Sequence, residues 1–206
     1  MLIKLLGGIM LNYFIYAVIG YLVGSIPFSY LAAKKLAGID IREHGRGNAG
    51  ATNVFRVTNK STAAVAFLGD LLKGAVIALI LKYTVNLDAA VIAGVFSVVG
   101  HCYPIFLGIR GGKGVATTGG IVIAFNPLIG LILAIYMFTV IGITRIVSLA
   151  SISGSTLYII IILCTNQPLS LKVFGLIAGL FVIYKHKANI KRLIKGEEKK
   201  LTFKKK

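Results

Sequence analysis

The residues best equipped for chemistry fall in short polar stretches of an otherwise apolar chain of 206 residues. The first, HGRGNAGATNVFR, spans residues 44–56. Gly45, Gly47 and Gly50 give the backbone access to positive φ, and successive amides in such conformations form an anion-binding nest. Arg46 and Arg56 supply charge; Asn48, Thr52 and Asn53 supply directional donors. The chemistry on offer is phosphate binding, set against the plainer alternative of a flexible loop with topogenic arginines.

The second stretch, GIRGGKGVATTGG, spans 108–120. It is not a nucleotide-hydrolysing P-loop, because Gly114 follows Lys113 where Ser or Thr is required and Leu107 stands where the first Gly belongs. What remains is Lys113, a point charge framed by glycines at the start of a helical run whose N-terminus itself favours anions. The alternative is a tight turn with one topogenic lysine. A third stretch, YKHKANIKRLIKGEE at 184–198, spaces His186, Asn189 and Arg192 by three residues, on one face of a helix. The opposite reading is a basic amphipathic helix lying on anionic lipid, and the two are compatible.

Other polar residues sit where they are costly. Asp70 and Lys73, in LGDLLKG, lie three apart inside an apolar segment. An unpaired charge there costs roughly 2.5–3.5 kcal/mol, so an ion pair that supports the site is favoured over direct catalysis. His101, between Gly100 and Pro104, has a hydrogen-bonded core role as its commoner reading. Ser148 and Ser151 in RIVSLAS begin a later segment, where helix cap and ligand are both open. Cys102 and Cys164 lack metal spacing. There is no G-x-S-x-G, no H-E-x-x-H and no carboxylate pair. No metal and no cofactor are expected.

The elements that position these residues are membrane helices. The chain is 57% hydrophobic with a mean hydropathy of +0.87 and is 14% charged, against about 25% charged in soluble domains. This predicts an all-α polytopic integral membrane protein. Seven segments are expected, at about 11–33, 62–81, 89–107, 115–125, 128–143, 148–163 and 171–184, with 1–25 retained rather than cleaved. The fourth, at about 16 Å, is too short to span upright, so it is a half-span or merges with the fifth into one kinked span. Nineteen of the 23 Lys and Arg fall on one side of a seven-span topology. That bias puts the amino terminus outside and the carboxyl terminus in the cytoplasm. It also accounts for most of the +17 net charge without nucleic acid. Every polar cluster then faces the cytoplasm, within a single domain over 1–206 that ends in a basic tail from about 185.

Two function classes fit: an enzyme joining a soluble phosphorylated substrate to a lipid, or a transporter of phosphate or an organic anion. Transporters commonly show inverted repeats and midplane binding groups. No repeat is visible and the polar groups lie on one side, which favours the enzyme.

Six blocks in order, GSIPFSYLAAK (24–34), GRGNAGATNVFR (45–56), LGDLLKG (68–74), GHCYPIFLGIRGGKGVAT (100–117), SLASI (148–152) and YKHKANIKRLIKGEE (184–198), closely resemble the bacterial acyl-phosphate-dependent glycerol-3-phosphate acyltransferases, the PlsY family. The resemblance implies a multi-pass enzyme of the bacterial inner membrane with its active site facing the cytoplasm. It would move a fatty acyl group from acyl phosphate to the 1-hydroxyl of sn-glycerol 3-phosphate, giving lysophosphatidic acid and phosphate. Its partners would be those two substrates and membrane lipids; the oligomeric state is left open. The resemblance also implies the site. Lys113 and Arg56 would neutralise phosphate, and His186 and Asn189 would hold the acyl phosphate. Asn48, Gly50, Thr52, Asn53, Gly111, Gly112, Gly114, Thr117 and Arg192 would complete the binding surface, and the residues' own types and places in these stretches add Arg46, Gly47, Ala51 and Ser148. Asp70, Lys73, His101 and Glu198 would support it. The general base is His186 or an oxygen of the acyl phosphate itself. One position departs from the pattern: the family usually has serine where this chain has Arg46.

Overall fold

The computed structural model describes residues 2–201, the side chains of 2–6 and 9 excepted. The Lys4 side chain and the tail lysines at 204–206 therefore lie outside what is described. The described chain is helical and has no strand: α1 Leu2–Ser25, α2 Phe28–Ala37, α3 Ala51–Val57, α4 Lys60–Thr84, α5 Leu87–Cys102, α6 Val115–Phe125, α7 Pro127–Thr144, α8 Val147–Cys164, α9 Leu169–Lys185 and α10 Lys187–Ile194.

Polar punctuation sets the boundaries. Asn59, Asn86 and Asn126 each accept a hydrogen bond from the backbone N–H three residues on, starting α4, α5 and α7; such a cap is worth about 1 kcal/mol. Asn126-Pro127 does more than kink a span. It ends α6 and starts α7, and α7 folds back so that Gly130 faces Ile123. The alternative of one kinked span over 115–143 is thereby corrected to two packed helices. The expected first segment at 11–33 is also divided, because Ile26 and Pro27 interrupt it between α1 and α2.

Among the described residues, five stretches are long and apolar enough to cross a membrane: Met10–Ala37, Lys60–Thr84, Leu87–Leu107, Pro127–Thr144 and Val147–Cys164. A sixth is α9 with α10, bent by 58° between them. The eleven residues of α6 fall short of the ~20 that a span needs. This is an integral membrane architecture whose outward surface is apolar. On α7, Leu128, Ile135, Phe138 and Ile143 are all more than half exposed, as suits a face solvated by lipid.

Two buried clusters hold the helices. The larger joins α4, α5, α6 and α9 around Ile121 and Phe174. The smaller lies under the first polar loop, where Ile41, Ala49 and Val54 pack against Ala33 of α2 and Ala66 of α4. The loop thus has a core of its own, which fixes its backbone. Gly45 and Gly47 take the left-handed conformation there, at φ 68° and 64°. Gly50 instead is extended and caps α3.

Candidate active site

The three polar stretches converge on one cleft of about 910 Å³. Its charged end is formed by Arg46, Asn48, Arg56, Lys113, His186, Asn189, Arg192 and Glu198. Its other end is an apolar arm between α6, α7 and α8, lined by Val122, Ile123, Leu133, Met137, Phe138 and Tyr158.

Glu198 organises the charged end. Its Oε2 accepts from Arg192 Nε at 2.6 Å and from Arg46 at 3.2 Å. Its Oε1 accepts from Asn189 Nδ2 at 2.8 Å and from Ser148 Oγ at 3.0 Å. The amide oxygen of Asn189 then accepts from Lys113 Nζ. One carboxylate and one amide thereby tie the first loop, the second loop, the start of α8 and α10 together. Burial pushes the Glu198 carboxyl up, but the hydrogen bonds from Arg192, Asn189, Ser148 and Arg46 outweigh it and hold the group at about 2.

Cations outnumber that carboxylate. Arg56 faces the cleft with no ion-pair partner among the described residues, and burial, followed by repulsion from Arg46, lowers its pKa. Burial lowers Lys113 to about 8; the attraction of Glu198 is opposed by Arg192, Arg46 and Arg56. His186 is buried beside them. Its Nδ1 lies 2.8 Å from the Val182 carbonyl. A carbonyl only accepts, so Nδ1 carries the proton and Nε2 of the neutral ring is an acceptor.

Not every expected residue faces the cleft. Gly50, Ala51, Thr52, Ser148 and Arg192 line it. Asn53 reaches it, but its side chain is engaged by the loop: Oδ1 accepts from the Arg46 N–H at 2.9 Å, and Nδ2 donates to the carbonyls of Ile41 and His44. Gly47, Gly111, Gly112, Gly114 and Thr117 stand behind the lining. Thr117 donates to the Asp70 carbonyl at 3.0 Å. Gly114, at φ 87°, makes the left-handed turn into α6 directly after Lys113, a conformation that Gly adopts without penalty.

At the wall of the cleft lies a second charged cluster, of which Asp70 and His101 line the cleft and Lys73 stands behind. Asp70 Oδ1 is 3.0 Å from Lys73 Nζ and 3.4 Å from His101 Nδ1. Asp70 Oδ2 accepts from Ser29 Oγ at 2.5 Å. Lys73 also donates to the Ile26 carbonyl at 2.7 Å, at the break between α1 and α2. The Asp70–Lys73 pair read from the sequence is present, with two further partners. Ser29 was missed as a partner, although it lies in the block 24–34; its only signal is a hydroxyl beside a proline break. Tyr158 was missed as well, since nothing distinguishes it within a long apolar helix. No group of His, Cys, Asp and Glu that could hold a metal occurs among the described residues.

The arrangement suits a ligand with an anionic end and an apolar tail. Comparison with known proteins points the same way. The glycerol-3-phosphate acyltransferase family matches residues 14–196. A protein of Thermoanaerobacter sp. (strain X514) named glycerol-3-phosphate acyltransferase is 45% identical over 185 residues, covering 90% of this chain and 93% of its own. One of the same name from Clostridioides difficile (strain 630) is 44% identical over 94% of this chain and 98% of its own. Two crystal structures of PlsY, an integral membrane glycerol 3-phosphate acyltransferase, are 36% identical and cover 92% of this chain. The glycerol 3-phosphate form has a TM-score of 0.87 over 96% of that chain, and the lysophosphatidic acid form 0.85 over 95%.

Proposed function

This chain belongs to the glycerol-3-phosphate acyltransferase family, and on that premise we propose how it works, from which donor and with which residues. It is a bacterial membrane acyltransferase of phospholipid synthesis that acylates glycerol 3-phosphate. The donor is acyl phosphate, and the products are lysophosphatidic acid and inorganic phosphate. The chain works as one domain of seven spans in the cytoplasmic membrane, counting α6, with its amino terminus outside and the cleft opening to the cytoplasm. The Lys and Arg distribution supports that orientation.

The observation that carries the donor assignment is the continuity of the cleft. A cation cluster meets an apolar arm within one cavity, as an acyl phosphate requires, and glycerol 3-phosphate brings a second phosphate to the same end. Lys113 and Arg56 neutralise phosphate, joined by Arg192 and by the donors of Asn48 and Thr52, while Ser148 holds Glu198. The hydroxyl oxygen of glycerol 3-phosphate attacks the acyl carbon. The bond from that carbon to the phosphate oxygen breaks, and phosphate leaves with the charge that Lys113 and Arg56 stabilise. His186 is held through Nδ1 on the Val182 carbonyl, and the acyl phosphate brings oxyanions of its own. The hydroxyl proton therefore passes to an oxygen of the departing phosphate, and His186 Nε2 orients the hydroxyl.

Phosphate release from palmitoyl phosphate by the purified protein, with and without glycerol 3-phosphate, tests this. Release that requires glycerol 3-phosphate and matches lysophosphatidic acid is the expected result. No release, with saturable glycerol 3-phosphate uptake into proteoliposomes, would make the cleft part of a transport path.

A further inference from the structure

The second glycine-rich loop does not hold itself in place. The Gly112 N–H donates to the His101 carbonyl at 3.1 Å. The same histidine packs against the loop with its ring: a Cβ on Gly112 would overlap His101 Nε2, and one on Gly111 would overlap the His101 carbonyl oxygen. On the far side of the ring, Nδ1 faces Asp70. Asp70 is in turn fixed by Ser29 and Lys73. Asp70 and His101 both border the cleft, whereas Lys73 does not.

We propose that Asp70 and His101 form a positioning relay beneath the second loop: Asp70 fixes the imidazole, and His101 fixes Gly111–Gly112, which aims Lys113 at a substrate phosphate. The chain of contacts runs unbroken from the break between α1 and α2 to the Lys113 ammonium. Neither Asp70 nor His101 needs to touch substrate. A role limited to pairing charges would explain Asp70 with Lys73. It would not explain why the third member of the cluster is a ring wedged under two consecutive glycines. Glycine at 111 and 112 follows directly, because any side chain would displace the loop from its support. The inference rests on Lys113 as a phosphate ligand, and its test separates the two.

The probe is inorganic phosphate, titrated by calorimetry into the purified full-length protein. Lys113→Ala, His101→Ala and their combination form a double-mutant cycle, with thermal midpoints recorded for each. The expected result is at least a tenfold weaker affinity for either single variant and no further loss in the double variant. If Lys113→Ala leaves affinity unchanged, the reading of Lys113 fails and the relay with it. If Lys113→Ala weakens binding but His101→Ala does not, or the two losses add, the relay alone is wrong. A second pair covers the case in which His101→Ala does not fold. Gly112→Ala should weaken phosphate binding by forcing the ring aside. His101→Asn keeps a donor toward Asp70 but withdraws the ring edge, so combining it with Gly112→Ala should restore binding toward that of His101→Asn. Failure of that suppression would overturn the contact on which the relay depends.

Discussion

Two buried carboxylates anchor this molecule, and their surroundings differ in one respect. Asp70 lies between α2, α4 and α5, facing one lysine, one histidine and one hydroxyl. With the histidine neutral, its charge is matched. Glu198 lies at the charged end of the cleft, with Arg46 and Arg192 in contact and Lys113 and Arg56 close by. Four cations share one anion. A matched cluster has no electrostatic reason to take a ligand, whereas an unmatched one gains from any anion that enters. On the proposed function the first arrangement is a scaffold and the second a binding site, although the residue types are nearly the same.

The largest effect should come from removing charge on the unmatched side. Lys113→Ala should lower turnover by about 10²–10³-fold or more, the range for one lost donor to developing transition-state charge. Its thermal midpoint should hold or rise, because a cation leaves a region of excess positive charge. Turnover and differential scanning measured on one preparation check both halves. A variant that keeps its activity would end the assignment of the cleft's charged end as the reaction centre.

Asp70→Asn should be felt first in stability. It leaves Lys73 without its counter-ion inside the apolar segments, and breaking a buried pair costs about 3–5 kcal/mol. The expected outcome is a large fall in thermal midpoint, with Lys73→Met on top of Asp70→Asn recovering part of it by removing the stranded charge. Glu198→Gln should lower the midpoint as well, because it takes the one shared carboxylate from Arg46 and Arg192, and should cost activity in addition.

The two clusters were unequally legible in the sequence. Asp70 and Lys73 stood out because an apolar segment makes any charge conspicuous, and their spacing of three places both on one helix face. Arg46, Lys113, Asn189 and Arg192 stood out through glycine-rich or helical context. What the sequence concealed was who partners whom. Nothing local says that Asn53 serves the loop's own backbone, that Thr117 turns to the Asp70 carbonyl, or that Glu198 joins Arg46 to Ser148. Those contacts cross 47 to 152 positions in the case of the last two residues. The division of α6 from α7 at Asn126-Pro127 could be seen as a break, but only packing decides between a kink and a reversal. Tyr158 is one more apolar-face residue until α6 and α7 are set beside it.

A pH titration sharpens the contrast at intermediate cost. Lys113 at about 8 is a cation below that pH and loses its proton above it. The value of kcat/KM should therefore fall about tenfold per pH unit on the alkaline side of about 8, and Lys113→Arg should carry that limb beyond the accessible range. Stability should move oppositely. The unfolded lysine keeps its proton to 10.5 while the folded one releases it at about 8, so stability rises with pH across that window. Glu198 acts at the other extreme: its depressed pKa contributes stability above about 4.5 that is lost as pH falls through about 2. An enzyme that lost activity and stability together at pH 9 would contradict the assignment to Lys113.

The smallest effect should come from Arg46, where the resemblance leads to an expectation of serine. Its guanidinium is spent on Glu198 at 3.2 Å, already the longer of that carboxylate's two arginine contacts, and its backbone N–H is held by Asn53 whatever side chain it carries. Arg46→Ser leaves Arg192, Asn189 and Ser148 on Glu198, and it leaves Lys113 and Arg56 facing the cleft. A partly exposed ion pair of this kind is worth roughly 0–1 kcal/mol, so turnover should change by less than about fivefold. KM for glycerol 3-phosphate should carry most of the change. A loss near that of Lys113→Ala would mean that Arg46 leaves Glu198 for substrate during turnover and acts as a ligand rather than a brace.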